Sequence, residues 1–205
     1  MDRSAIEELY DITDFTWTTC VELLPKLPEG ALTAPVPGSG WPALIDAFGH
    51  INYAYDRWLH ERLEARDVIV ADPKSVGDWA TIEDWRAQAR ASFRAILDGT
   101  PDDRLYVADI PVWYDERARM SVGDILTHVL WHERGHHGDI STLFYHYGIE
   151  MPSMDYGMYL WSRRKREASP RRTGMPAPGS SSARPRATRT GRSPAASDRG
   201  SGRSS

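Results

Sequence analysis

The sequence predicts an all-α protein, specifically a four-helix bundle with a short β-hairpin between helices three and four. Three observations lead to this fold class. Apolar residues recur at spacings of three and four in four long stretches within the first 160 or so residues. Proline and glycine cluster between these stretches. A single stretch, between the third and fourth helices, is rich in residues that favour strands.

The first two predicted helices are separated by a connector that cannot be helical. The first helix covers residues 3–25 and ends at Pro25. Residues 28–41 contain three prolines and three glycines, too many for a helix interior, and therefore predict an ordered connector. Pro42 suits the first position of the second helix, which we expect to extend to about residue 66.

Two capping boxes mark the starts of the remaining helices. The string from Thr81 to Asp84 predicts the start of the third helix, which Gly99 ends. Residues 104–118 favour strands and are punctuated by a proline, which predicts a two-stranded hairpin. Ser121 begins the second capping box and opens the fourth helix.

Charge divides the chain into an acidic body, residues 1–162, and a basic tail, residues 163–205. The tail holds 12 of the 25 Lys and Arg residues and 2 of the 29 Asp and Glu residues, which leaves 13 and 27 for the body. We therefore expect the body to fold, with residues 149–161 packing back onto it, and not to bind nucleic acid. The tail lacks the apolar residues needed for a core, which predicts disorder. Its arginines could bind nucleic acid or anionic surfaces, or have no measurable role.

The cysteine content and hydropathy predict a cytoplasmic protein without a membrane segment. Cys20 is the only cysteine, which excludes an internal disulfide and fits a reducing compartment. No apolar run is long enough to cross a bilayer, and acidic residues interrupt the segment where a signal peptide would require apolar ones.

Three histidines on two helices form a candidate metal site. His132 and His136 are four residues apart, so their imidazoles lie on one face of the fourth helix and can converge on one ion. His50, in the second helix, sits among apolar neighbours where a lone imidazole would need a partner. The apolar residues that flank the pair, Trp131 among them, suggest that this part of the helix is packed. Three neutral imidazoles would leave coordination positions open for water or substrate.

The other histidines receive different interpretations. His128 precedes His132 by one turn and could be a fourth ligand, but we prefer a place beside the pocket because its position on the helix carries it away from the shared centre. His60, His137 and His146 are predicted to be solvated or interface histidines.

Glu133 leaves a second chemistry open. The string HERGH, residues 132–136, formally matches the H-E-x-x-H motif in which a glutamate acts as general base of a zinc protease. The chain offers neither the usual downstream third ligand nor a strand edge for a peptide, so the hydrolase remains the weaker alternative. Gly135 could allow a close approach by helix two or by a ligand, or could simply be tolerated.

With these residues in view, the chain resembles the DinB-like family of metal-binding four-helix bundles. The resemblance covers residues 4–161 and depends on the order and spacing of several strings rather than on one. These are Pro37 to Trp41, His50 with Asp56 to Leu59, Trp131 to Asp139, and Gly148 to Pro152 with Asp155 and Tyr156.

The resemblance implies a metal held by His50, His132 and His136. We expect Trp41, His128, Glu133 and Asp139 to line the pocket or to support the ligands. Zinc and nickel are the metals we expect. Characterised relatives include low-molecular-weight thiol S-transferases and a mycothiol-dependent isomerase. We therefore expect a metal-dependent transferase or isomerase that uses a small thiol on a small-molecule substrate, and a homodimer is conceivable. The alternative is a non-catalytic, metal-stabilised binding or stress-response module.

Overall fold

The computed structural model describes residues 1–168 and shows five helices and one hairpin in that range. Four of the helices are those predicted, and the fifth follows them. In chain order the elements are α1 (Arg3–Val21), α2 (Leu44–Tyr55), α3 (Trp79–Gly99), β1 (Ile110–Val112), β2 (Asp115–Met120), α4 (Val122–His146) and α5 (Tyr156–Ala168). The structure thus confirms a mostly helical bundle with a small antiparallel hairpin between α3 and α4.

The second helix starts later than predicted and changes its winding before it ends. Pro42 lies outside α2, because the capping residue Ala43 still has extended backbone. After Tyr55 the chain continues as a π-helix over Asp56–Leu63, called the π-segment below. Wider turns of this kind are rare and often occur near functional sites, because they re-aim side chains relative to a regular helix.

Of the two predicted helix caps, the structure contradicts the one at α3 and confirms the one at α4. The predicted cap of α3 at Thr81 is wrong: the helix begins at Trp79, and Asp78 caps it by accepting a hydrogen bond from the Thr81 backbone N–H at 2.8 Å. Asp78, three residues upstream of Thr81, is an equally suitable capping residue, so the local string alone could not distinguish the two starts. The capping box at Ser121 is confirmed, with both reciprocal hydrogen bonds to Asp124 present.

The hairpin is shorter than the stretch predicted for it. Leu105 lies in a 3-10 turn before the strands and is fully buried there. Ile110 pairs with Met120, and the register shifts between Pro111 and Val112. The shift follows from the proline, which has no backbone N–H to give to the ladder.

The core lies between α4, the longest helix, and the helices on either side of it. The π-segment and the 3-10 turn before the hairpin also contact α4, and α2 packs against α3. Every helix from α1 to α4 therefore contributes one apolar face. The largest fully buried side chains include Trp85, Tyr55, Phe48, Phe93 and Phe144.

The boundary between body and tail falls later than predicted. Residues 163–168 belong to α5, and Arg163 forms an ion pair with Glu8 of α1 at 2.8 Å. This contact ties the middle of α5 to α1. The remainder of the predicted tail, residues 169–205, lies outside the described residues. Within residues 1–168, no helix combines the length and apolarity that a membrane crossing requires.

Candidate metal centre

Three histidine side chains from α2 and α4 converge on one point of the surface. His50 lies on α2, and His132 and His136 lie one turn apart on α4. One nitrogen from each ring lies within 4.8 Å of the others. The packing of α2 against α4 therefore brings together residues that are about 80 positions apart in the chain.

The orientation of the two α4 rings matches what a shared ion requires. His136 donates its Nδ1–H to the Asp139 carboxylate at 2.7 Å, so its Nε2 lone pair faces the cluster. The Nε2 atoms of His136 and His132 are 3.2 Å apart. Two nitrogens that bind one tetrahedral zinc at about 2.0–2.1 Å would be separated by about 3.3 Å. The donor set and its spacing therefore fit a divalent metal ion.

Burial keeps two of these rings neutral. Burial, reinforced by the neighbouring His136, lowers the pKa of His50. Burial, with contributions from His136 and His50, lowers the pKa of His132 to about 4. Neutral imidazoles have a free lone pair at neutral pH, so no proton has to be displaced before they bind an ion.

Trp41 covers one side of the cluster. Its ring lies 5.1 Å from the ring of His50 and 5.3 Å from that of His136, centroid to centroid. The connector before α2 sets this position. Gly40 adopts a φ of +83°, which favours glycine, and the Ser39 hydroxyl donates to the Trp41 carbonyl at 2.7 Å. The composition that excluded a helix here instead forms the turn that holds Trp41 against the site.

Comparison with protein families gave a match over most of the helical body. The model of the DinB superfamily matches residues 12–140, a range that includes all three histidines and most of the helical body. The chain belongs to the DinB superfamily. No curated protein gave a significant match.

The DinB-superfamily assignment agrees with the fit of the donor set, because this family is metal-binding. His50, His132 and His136 could therefore hold a metal ion. Two glycines of α4 lie close in sequence to the ligands. Gly135 and Gly138 are exposed, and a Cβ built at either one would meet nothing within 4 Å. Gly135 thus does not mediate a close approach of α2.

His128 lies beside the cluster rather than in it. Its ring centroid is 6.1 Å from that of His132, on the far side from His136 along the helix. The ring instead contacts Trp58 of the π-segment at 4.7 Å. Burial lowers the pKa of His128, although its side chain still reaches solvent. His128 therefore extends the site sideways toward the hairpin.

Glu133 points into the core of the DinB-superfamily bundle and not toward the histidines. Its carboxylate is fully buried, accepts two hydrogen bonds from Arg86 at 2.7 and 3.1 Å, and accepts a further one from the Tyr55 hydroxyl. Burial by itself would raise the pKa of Glu133, but Arg86, His137 and Arg90 outweigh it and lower the pKa to about 2. A carboxylate held in this way cannot act as a general base, so the geometry gives the hydrolase alternative no support.

Two other histidines were misjudged from the sequence. His137 is buried rather than solvated, with Nε2 3.4 Å from Glu133. His60 is also buried, and it donates Nδ1–H to Asp56 at 2.5 Å and accepts a hydrogen bond from the Ser92 hydroxyl at 2.6 Å. The i, i+4 spacing of each histidine after an acidic residue was the available signal. His146 is exposed, as predicted.

The packing expected around the histidine pair is present on one side only. Ile140, Leu143 and Phe144 are buried, but Trp131 is 58% exposed. The prediction for Trp131 was wrong because it lies on the solvent side of α4, between Leu130, which is buried, and His132. Its ring lines a shallow groove between α1 and the start of α5.

Proposed function

We propose that this DinB-superfamily protein is a metal-dependent transferase or isomerase that acts with a low-molecular-weight thiol on a small-molecule substrate. The observation that carries the proposal is the three-histidine cluster, whose ligand nitrogens lie within 4.8 Å of one another and whose side chains are only partly buried. Three protein ligands leave positions for exchangeable groups, as is typical of catalytic rather than structural sites.

Residues around the cluster would orient the ligands, keep them neutral and shield them from water. Asp139 orients His136, and burial keeps His50 and His132 in the neutral form that binds an ion. Trp41 shields one side of the cluster from water. When bound, a divalent ion such as zinc or nickel would supply the positive charge that stabilises a thiolate near neutral pH.

The thiol would have to come from a cofactor or substrate. Cys20 is fully buried in α1, and burial raises the pKa of its thiol to about 12. A thiol that stays protonated is a poor nucleophile and a poor metal ligand. An external small thiol that reaches the partly exposed histidines meets neither restriction.

A second candidate is a non-catalytic, metal-stabilised binding module. Two carboxylates of α4 close to the histidines are already engaged, which favours this candidate because neither is free to act as a general base. Glu133 is held in the core by Arg86, and Asp139 accepts from His136. Such a module would bind a ligand at the metal without transforming it. The two candidates share the metal centre and differ only in turnover.

The test has two steps. Elemental analysis of the purified full chain should find about one divalent ion per protein, and His50→Ala and His132→Ala should lose it while the exposed control His146→Ala retains it. Unchanged metal content in the first two variants would exclude the site. The metal-loaded protein is then assayed with a panel of physiological thiols and electrophiles. Turnover that depends on both thiol and metal supports the enzyme, and thiol binding without turnover supports the binding module.

A further inference from the structure

A row of aromatic rings leads away from the histidine cluster toward the hairpin. His128 follows His132 at 6.1 Å, Trp58 follows His128 at 4.7 Å, and Trp113 follows Trp58 at 4.3 Å, all measured between ring centroids. These rings come from α4, the π-segment and the turn of the hairpin. We call the set of Trp58, Trp113 and His128 the aromatic shelf.

The residues of the shelf differ in their exposure to solvent. Trp58 is only 6% exposed, whereas Trp113 is 44% exposed and His128 also reaches solvent. Trp58, Arg57 and Arg62 pack against part of the Trp113 ring, and the exposed part keeps its apolar area hydrated. That exposed part offers a flat surface on which the ring of a ligand can stack.

The far end of the shelf carries the positive charge of Arg62, for which no described side chain supplies a counter-charge. The guanidinium carbon of Arg62 lies 4.9 Å from the centre of the Trp113 ring. The neighbouring Arg57 forms an ion pair with Glu61 at 2.6 Å, but no carboxylate among the described side chains lies within ion-pair distance of Arg62. Its Nε atom is buried and has no hydrogen-bond partner there either.

Arg62 differs in this respect from most of the described arginines of the body. Residues 1–162 hold 27 acidic residues against 13 basic ones, so most arginines have a carboxylate at hand. Arg3, Arg86 and Arg94, for example, each contact one. A guanidinium with free donors is suited to a carboxylate, which it can bind through two parallel hydrogen bonds.

We propose that the aromatic shelf and Arg62 form a specificity subsite for an elongated, flat ligand that ends in a carboxylate. One end of the ligand binds at the histidine cluster, its planar part stacks along His128 and Trp113, and its carboxylate pairs with Arg62. The inference rests on the proposed metal centre, and it adds the chemical class of the ligand to it.

The π-segment gives this subsite a fixed geometry. It carries Trp58 and Arg62, and the buried Asp56 and His60 hold it in place through hydrogen bonds to α3 and the following loop. The same continuous stretch of chain begins with α2, which carries His50. The metal ligand and the shelf are therefore positioned together, as a subsite for two ends of one molecule requires.

The test uses the full chain loaded with cobalt(II), whose visible absorption reports ligands that bind the metal. Three hydroxamates share one metal-binding head group: acetohydroxamate, biphenyl-4-hydroxamate and its 4′-carboxylate. We expect the biphenyl compound to bind about 3- to 10-fold more tightly than acetohydroxamate. We expect the carboxylate to add a further gain of about 3- to 10-fold.

Two variants separate the contributions of the Trp113 ring and of the Arg62 charge to hydroxamate affinity. Trp113→Ala should remove the preference for the biphenyl group, and Arg62→Met should remove only the advantage of the carboxylate. The control is Trp161→Ala, because Trp161 is also exposed and also lies near a cation, Lys165 at 5.1 Å, but belongs to α5. This variant should bind all three hydroxamates as the unmodified protein does.

The outcomes distinguish this inference from the proposed function. Equal affinity for the three hydroxamates, or equal effects of Trp113→Ala and Trp161→Ala, would overturn the subsite while leaving the metal centre intact. Metal-loaded protein that binds none of the hydroxamates would also overturn it. A failure of the chain to bind cobalt, measured by elemental analysis before any titration, would instead remove the metal centre and the subsite with it.

Discussion

At the scale of single residues, Asp139 is the side chain with the clearest supporting role. It holds His136 through Nδ1 at 2.7 Å, which fixes both the ring orientation and the nitrogen that faces the cluster. Such carboxylate partners typically change metal affinity about 10- to 100-fold. We expect Asp139→Ala to weaken metal binding by a factor in that range, measured by competition with a chelator of known affinity.

The control for that experiment is Asp98→Ala, which removes the same charge from an exposed position on α3. It should leave metal affinity unchanged. If the two variants bind metal equally well, Asp139 does not orient a ligand. A loss of affinity in both would indicate that the overall negative charge of the body, rather than one hydrogen bond, is responsible.

Cys20 permits a prediction about reactivity. Because burial raises the pKa of the thiol to about 12, almost no thiolate forms near pH 8, and the side chain is also closed to reagents. We expect Cys20 to resist iodoacetamide in the folded protein and to react fully in denaturant, as followed by mass spectrometry. Rapid labelling of the native protein at pH 8 would contradict this and would reopen a nucleophilic role for the chain.

At the scale of elements, Glu133 joins three helices. Its carboxylate on α4 meets Arg86 of α3 and Tyr55 of α2, and all of these side chains are buried. Removing one partner of a buried ion pair leaves the other charge uncompensated, which typically costs about 3–5 kcal/mol. We expect Glu133→Gln to lower the free energy of unfolding by about 3 kcal/mol in urea titrations, whereas Glu8→Gln, in a pair that still reaches solvent, should cost less than about 1 kcal/mol.

Glu133 also makes the stability of the folded protein depend on pH in the acidic range. The pKa of Glu133 is lowered from 4.5 to about 2 in the folded protein, so the carboxylate binds its proton less readily when folded than when unfolded. Its stabilising contribution is therefore complete above about pH 4.5 and is lost progressively as the pH falls toward 2. The difference in stability between the unmodified protein and Glu133→Gln should shrink over that interval, and an unchanged difference would show that the network does not depend on charge.

The π-segment and α3 are joined by an arrangement that superficially matches a hydrolase triad. Ser92, His60 and Asp56 are linked by hydrogen bonds of 2.6 and 2.5 Å. Their surroundings point to a structural role, because Ser92 is 7% exposed and its oxygen already accepts from Arg66 at 2.7 Å. We expect a fluorophosphonate probe to leave Ser92 unlabelled, and Ser92→Ala to cost about 1–3 kcal/mol by leaving the His60 acceptor unsatisfied.

The matched control for that variant is Ser75→Ala, at an exposed position in the loop before α3. Its hydroxyl makes one hydrogen bond, to the carbonyl of Asp72. Its effect on unfolding should fall within about 0.5 kcal/mol of zero. Labelling of Ser92 by the probe, with little loss of stability in Ser92→Ala, would reverse the assignment and indicate a second reactive site.

Helical periodicity explains why some of these elements could be predicted and others could not. The spacing of His132 and His136 fixes them on one face, so their convergence follows from the sequence. The fate of His137 depends on whether Glu133, one turn earlier, points into the core, and that is decided by the arginines of α3. No local pattern in α4 reports the position of Arg86, which is why a buried network was mistaken for a solvated histidine.

The π-segment could not be predicted either, because it also depends on contacts between residues far apart in the chain. The sequence predicted that a regular helix continues to about residue 66, whereas the chain winds as a π-helix from Asp56 to Leu63. The change of winding follows from the hydrogen bonds of Asp56 to the loop and to Trp85, which join residues 13 to 29 positions apart. Contacts over that distance depend on the fold as a whole, and no motif within the segment encodes them.

At the scale of the whole molecule, the candidate site bridges two halves of the bundle. His50 lies on the helix that packs against α3, and His132 and His136 lie on the helix that packs against α1. An ion bound only when these helices are assembled stabilises the folded state by mass action, by about 2.7 kcal/mol when the free ion is present at 100 times its dissociation constant. Such an ion should therefore act as a link across the bundle.

The last prediction follows from that bridge. Adding zinc or nickel to chelator-treated protein should raise the melting temperature in a concentration-dependent way, as followed by circular dichroism. His50→Ala should abolish the shift as completely as His132→Ala, because either change removes one side of the bridge, and His146→Ala should retain it. A shift that survives His50→Ala but not His132→Ala would mean that the ion is held by α4 alone, and the site would then stabilise one helix instead of the assembled bundle.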